Sequence, residues 1–306
     1  MAEFHHVSVL HRECIEGLRI RPDGVYVDAT LGGAGHSVSI AERLTTGRLY
    51  GLDQDGDALA ASRERLAPYL DRVILIKTNF RDMAAHITEP VNGVLFDLGV
   101  SSFQLDETER GFSYMQDAPL DMRMDRTSGF TAFDVVNGYE RGELKRIIAD
   151  YGEERFAGPV AAAIVKARET APIRTTLELA RIVASAIPNA KRERQHPAKR
   201  TFQAIRIAVN DELSAVEEGV RAAVDLLAPG GRVLVITFHS LEDRIVKSLF
   251  RTLSNGCTCP PEFPVCVCGA KPIVRIVNHK PILPSAEELQ ENPRSRSAKL
   301  RIAEKI

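Results

Sequence analysis

Hydrophobic positions in the first hundred residues fall into short unbroken runs separated by helical stripes. Val25-Tyr26-Val27, residues 48–52, Val73-Ile74-Leu75-Ile76 and Val94-Leu95-Phe96 predict four strands. The last two show no polar alternation, as strands buried on both faces do. Between the first two, residues 37–44 set Ile40, Ala41 and Leu44 on one helical side, and residues 55–66 predict a second helix that stops before Pro68. Such alternation of strand and helix predicts a parallel α/β sheet.

Residues 103–126 break the texture, being polar and irregular with Met115, Met122 and Met124 among them. A helical period follows. Leu144, Ile147, Ile148 and Tyr151 mark one helix, and Phe156, Val160, Ile164 and Ala167 another. Thr175 and Glu178 have capping-box spacing before Leu179, Ile182, Val183 and Ala186, while Phe202, Ile205 and Val209 face a fourth helix. The α/β texture returns with the stripe Leu213, Val216, Val220, Ala223, Leu227, a turn at Ala228-Pro229-Gly230-Gly231, and an apolar strand over 232–238. The pattern therefore predicts one α/β domain, residues 1–105 and 210–306, interrupted by an all-helical insertion at 106–209.

Composition adds limits. With 44% hydrophobic and 26% charged residues the chain is ordinary globular material. Apolar stretches such as 233–238 are far too short to cross a bilayer, and the first eleven residues carry Glu3, His5, His6 and His11 in place of a secretory signal. A cytoplasmic protein with no membrane contact is expected. Net charge is −1, so any nucleic-acid contact must rest on locally concentrated positive charge. Cys14 stands alone, whereas Cys257, Cys259, Cys266 and Cys268 cluster. In a reducing compartment four such thiolates either close a structural zinc site or stay free, and in neither case is a metal expected in the chemistry.

The candidate chemistry begins at Asp28-Ala29-Thr30-Leu31-Gly32-Gly33-Ala34-Gly35-His36, between the first strand and the first helix. Glycines let a backbone approach a ligand, and a helix N-terminus turns free N–H groups toward it. Asp53, closing the second strand, is placed to accept both hydroxyls of a ribose. A dinucleotide and S-adenosylmethionine both suit this geometry. Asp28 ahead of the glycines repels a pyrophosphate and favours the ligand with a cationic amino group and a sulfonium. Asp97 ends the fourth strand and should face the same cleft.

Several blocks together resemble the ribosomal small-subunit RNA methyltransferase H family. They are Gly32 to His36, Asp97 to Ser102 with Gln104-Leu105-Asp106, Arg110-Gly111-Phe112-Ser113, and Pro119-Leu120-Asp121-Met122-Arg123-Met124-Asp125. Further on come Tyr151 to Phe156, Arg200 to Arg206, Phe238 to Arg244, and Asn292 to Ser297, so the match spans nearly the whole chain in order. The resemblance implies a Rossmann-like S-adenosylmethionine-dependent domain with a helical insertion. It implies N4-methylation of a cytidine in the decoding centre of 16S ribosomal RNA, within the small ribosomal subunit. By motif, cofactor contacts fall on Ala34, Gly35, His36, Asp53, Phe80, Asp97 and Gln104. Ala34 stands where some other members carry Gly, and only some relatives have the cysteine cluster.

Methyl transfer to the weakly nucleophilic cytosine amine needs positioning, exclusion of water and an acceptor for an N4–H. The Asp/Asn-Pro-Pro-aromatic motif of many amino-group methyltransferases is replaced here by Asp97-Leu98-Gly99-Val100. Asp97 is the candidate catalytic residue, accepting from the amine or from the cofactor. His239 and Ser240 come within reach of the cleft or support it from behind. RNA contacts are expected from Lys191, Arg192, Arg194, Lys199 and Arg200, with His196 among them, and from Arg294, Arg296, Lys299 and Arg301. Phe103, Phe112 and Tyr114 are candidates to stack on a flipped cytosine.

Overall fold

A computed structural model of the chain describes residues 8–188, 196–256, 259, 263, 265 and 268–306. It opens with α1 (His11–Leu18), β1 (Val25–Asp28), α2 (Gly35–Ala41), β2 (Arg48–Asp53), α3 (Gly56–Arg65), β3 (Val73–Lys77), α4 (Met83–His86) and β4 (Val91–Asp97). Helices follow: α5 (Ser102–Asp106), α6 (Ala132–Gly138), α7 (Arg141–Asp150), α8 (Ala157–Arg168), α9 (Thr176–Ala186) and α10 (Lys199–Asn210). The chain continues through α11 (Glu212–Leu226), β5 (Leu227–Thr237), α12 (Ser240–Asn255), β6 (Val274–Ile276), α13 (Ala286–Glu291) and β7 (Lys299–Lys305). It divides into two compact units, Met1–Gly99 with Leu213–Ile306, and Val100–Glu212.

The first unit is built on a seven-stranded sheet in the order β3-β2-β1-β4-β5-β7-β6. Strands β1 to β5 run parallel, and β7 lies antiparallel to both β5 and β6. Alternate side chains feed two cores, as a strand period of two requires. Val27, Val94, Phe96, Val233 and Val235 pack with Val216, Val220 and Val246 from α11 and α12. Tyr26, Leu95, Leu234 and Ile236 pack with Cys14, Ile15 and Ile40 from α1 and α2. The result is a Rossmann-like sheet with helices on both faces.

Three expectations change. β3 is an outer strand paired only with β2, so Val73 is buried while Ile74 is 40% exposed. The turn at Ala228 to Gly231 lies inside β5 as an irregularity: Leu227 pairs with Val91 and Arg232 with Gly93, and Gly230 takes a φ of 78°. Lys299 and Arg301 belong to β7, whose charged residues conceal a strand alternating with buried Leu300 and Ile302.

The second unit encloses its own core, with Leu144, Ile147, Ile148, Val160, Ile164, Leu179, Val183, Phe202 and Ile205 buried. Thr175 caps α9 by accepting from Glu178 N, but the Glu178 carboxylate accepts from Arg174 N at 2.9 Å. The reciprocal arm of the expected capping box thus reaches one residue further back. Among the described residues no helix is long and apolar enough to cross a membrane.

Candidate active site

β1, β2 and β4 are neighbours running the same way, so Asp28, Asp53 and Asp97 emerge at one edge of the sheet. The chain winds from β1 toward β2 on one side, and β4 lies on the other. Crevices at such a reversal are where open α/β sheets hold ligands.

The loop after β1 is held in left-handed turns, with φ of 47° at Gly32 and 58° at Ala34. Ala34 tolerates this strained conformation while its methyl is fully buried. Gly35 opens α2, and a Cβ built there overlaps the Ser8 hydroxyl. Two residues of α3, not singled out by sequence, fasten the loop: Ser62 Oγ donates to Gly32 O and Arg65 Nη1 to Gly33 O, each at 2.7 Å. Their only sequence signal is their three-residue spacing on one helix face. These bonds occupy the glycine carbonyls, while Gly32 N–H is committed to Asp53 and Ala34 N–H to Leu31 O.

The three carboxylates differ in use. Asp28 is buried and accepts from Ser37 Oγ at 2.7 Å and Thr30 N at 3.2 Å, so it organises the loop from beneath. Burial raises its pKa, with His36 and the Ser37 bond opposing the rise. Asp53 accepts from Gly32 N and Asp55 N, both at 2.9 Å, one on each oxygen. Burial pushes its carboxyl up to about 6. Each oxygen keeps a second lone pair for a ligand hydroxyl.

Asp97 is the least satisfied of the three. Its backbone N–H donates to Thr30 Oγ1 at 2.6 Å, and its Oδ2 lies 3.7 Å from His36 Nε2. Among the described residues Oδ1 has no hydrogen-bond partner, and neither does either ring nitrogen of His36. His36 is only 5% exposed, and one face of its ring stacks on His11 at 5.6 Å between centroids. His11, on α1, reaches Ser39 Oγ at 2.9 Å; burial, then the neighbouring His36, lowers its pKa. Buried polar atoms left without partners cost about 1–3 kcal/mol each. A polar ligand in the crevice satisfies them, and the loop, the orphaned atoms and the acceptor at Asp53 fit an adenosyl amino acid.

The sheet edge therefore gathers Ala34, Gly35, His36, Asp53 and Asp97. Phe80 follows β3, with its ring edge-on to Phe96 at 5.4 Å and against Gly219 of α11. Gln104 lies on α5 in the other unit, buried, its side chain accepting from Ser101 N at 3.1 Å. His239 caps α12: Glu242 N donates to its Nδ1, and the Glu242 carboxylate accepts from Phe238 N and His239 N.

Residues 3–306 match the MraW methylase family. The chain belongs to that family. Its relatives include the ribosomal RNA small subunit methyltransferase H of Brevibacillus brevis, 58% identical over 99% of this chain and 98% of the relative. The protein of the same name from a Paenibacillus species is 58% identical over 99% and 100%. A solved rRNA methylase from Streptococcus thermophilus covers 97% of this chain and 93% of its own, at 12% identity and a TM-score of 0.44.

Within this methylase several RNA-contact expectations need correction. Arg301 grips Asp243 through Nε at 2.7 Å and Nη2 at 3.2 Å, and Lys299 Nζ reaches the same carboxylate at 3.3 Å. Both basic side chains are thus paired from β7 with Asp243 of α12. Tyr114 is stacked on His196 at 4.7 Å and meets Phe202 edge-on, and Phe112 is core with Arg110 over its ring. Neither ring is free to take a base. The side chain of Phe103, and Lys191, Arg192, Arg194, Cys257 and Cys266, lie outside the described residues.

Proposed function

We propose that this chain methylates N4 of a cytidine in the decoding centre of 16S ribosomal RNA, within the small ribosomal subunit and in the cytoplasm. S-adenosylmethionine is the methyl donor of this methylase. One observation supports the reading above others. A buried imidazole, His36, and a buried carboxylate oxygen, Asp97 Oδ1, stand without partners among the described residues beside a left-handed glycine loop.

When bound, the cofactor supplies a methyl group already activated on a sulfonium. The remaining demands fall on the chain. Asp53 accepts the ribose hydroxyls, and the backbone at Ala34 and Gly35, with His36 and Phe80, holds the rest. Asp97 Oδ1 accepts one N4–H of cytosine, drawing the lone pair out of conjugation with the ring. With the methyl group so supplied, Asp97 would take up the proton that N4 gives up, along the same hydrogen bond. The helical unit serves RNA recognition, with Lys199 and Arg200 opening α10 on a basic stretch.

The test is methyl transfer to small ribosomal subunits, with the modified nucleotide mapped, for the native chain and for Asp97→Asn and Asp97→Ala. Loss of the acceptor in Asp97→Ala should lower kcat by about 10²-fold or more, and Asp97→Asn, which keeps a carbonyl oxygen but cannot take the proton, should lower it less. Native turnover in Asp97→Ala removes the catalytic assignment. A methyl group on another atom or nucleotide removes the substrate assignment.

A further inference from the structure

The exposed side chains Lys247 and Arg251 lie one helical turn apart on α12. With His279, Asn278 and Arg301 they line a cavity of about 450 Å³ against buried Phe250, at the β6 edge of the sheet. That edge is three strands beyond β4 and separate from the crevice where Asp28, Asp53 and Asp97 meet.

Charge is unusually concentrated here. Neither Lys247, Arg251 nor His279 has a carboxylate partner among the described residues. Arg301 and Lys299 share the single carboxylate of Asp243, so that ion pair itself carries surplus positive charge. The two cations hold the Asp243 carboxyl below its ordinary range despite its burial. In a chain whose net charge is −1, such a surplus is a local concentration, not a reflection of bulk composition. Asn278 is committed to backbone, donating to Leu300 O at 2.9 Å and accepting from Ile302 N at 2.7 Å. It gives the cavity a rigid wall, and the free donors are the cationic tips.

A concave site with the free cations of Lys247 and Arg251 and a fixed polar wall suits phosphate oxygens. We propose that this cavity is a docking site for the phosphodiester backbone of the RNA substrate, positioning the RNA without specifying sequence. The proposal rests on the RNA reading above.

The test measures binding of small ribosomal subunits and of a short single-stranded oligoribonucleotide across a salt series. Lys247→Ala/Arg251→Ala is compared with the native chain and with the charge-keeping Lys247→Arg/Arg251→Lys. Two lost phosphate contacts should flatten the slope of log affinity against log salt by about 1.4 and weaken binding on the order of tenfold. The charge-keeping variant should retain the native slope, and cofactor binding should be equal in all three proteins. An unchanged slope in the alanine variant overturns the proposal and leaves the cavity to a non-RNA partner. A flattened slope in a protein whose native form binds RNA but transfers no methyl group upholds the docking site and removes the methylation reading instead.

Discussion

At the residue scale the site depends on how differently three similar carboxylates are held. Asp53 carries the largest consequence for pH. Two backbone N–H groups favour its charged form, yet burial dominates and its carboxyl titrates near about 6. Ribose hydroxyls donate, so they need the carboxylate. Cofactor affinity should therefore be flat above pH 7 and fall as pH drops through 6, to about tenfold weaker at pH 5. The folding linkage has the opposite sign. Between about pH 4 and 6 the folded chain keeps a proton that the unfolded chain has released, so raising pH across that window lowers the stability contributed by this group. Calorimetric titration of the cofactor product across this range, with Asp53→Asn alongside, checks the affinity, and thermal unfolding over the same range checks the stability. The variant should bind more weakly by about 1.5–3 kcal/mol and lose the part of the pH dependence centred near 6. Native-like affinity and pH dependence in Asp53→Asn would remove the ribose assignment.

At the element scale the decisive piece is the start of α2. Gly35 is required by close approach: its Cβ would overlap the Ser8 hydroxyl, and Arg65 closes over the same turn. Gly35→Ala should weaken cofactor binding by at least tenfold while leaving the rest of the sheet folded. Ser8→Gly in the same chain should recover much of the loss, because it removes the clashing side chain. No recovery in the double variant would place the damage elsewhere. This loop was legible in the sequence because glycines, a preceding β-rich run and a following helical stripe signal one another at short range. The parallel strands and the helical stripes between residues 144 and 209 were legible for the same reason. β7 was not, because Lys299 and Arg301 read as part of a basic surface run, and their compensation by Asp243 is visible only in three dimensions. α1 was missed as well: its ends at Leu10 and Arg19 take left-handed backbone instead of capping side chains, so no stop or start signal marks it. Of the candidate site, Asp53, His36 and Asp97 are named by strand ends and motif and lie at one edge of the sheet, whereas the contacts of Ser62, Arg65 and His11 are announced by no local pattern.

At the scale of the whole molecule, the chain has distributed its apolar surface between units that satisfy themselves. Val100–Glu212 closes a core of its own, and its polar ends are tied internally. Thr131 with Asp134 and Glu140 with Glu143 form capping boxes on α6 and α7. Arg110 donates to the carbonyls of Arg123 and Met124 at 2.9 and 3.1 Å. Asn210, in the last turn of α10, accepts from Met124 N at 2.7 Å and donates to Met122 O at 2.8 Å, fastening the far end of the unit to its irregular opening segment. A contiguous segment with a closed core of its own and capping boxes on two of its helices meets the conditions for independent folding. The fragment 100–212 should therefore give a helical circular dichroism spectrum and one cooperative thermal transition. Asn210→Ala removes the clasp and leaves Met124 N–H without its partner, which costs about 1–3 kcal/mol. In a domain of this size that loss should lower Tm by roughly 4–8 °C per kcal/mol. An unfolded fragment would show that the unit draws its stability from the rest of the chain. An Asn210→Ala transition at the native Tm would show that the opening segment is held by its buried methionines and not by the clasp.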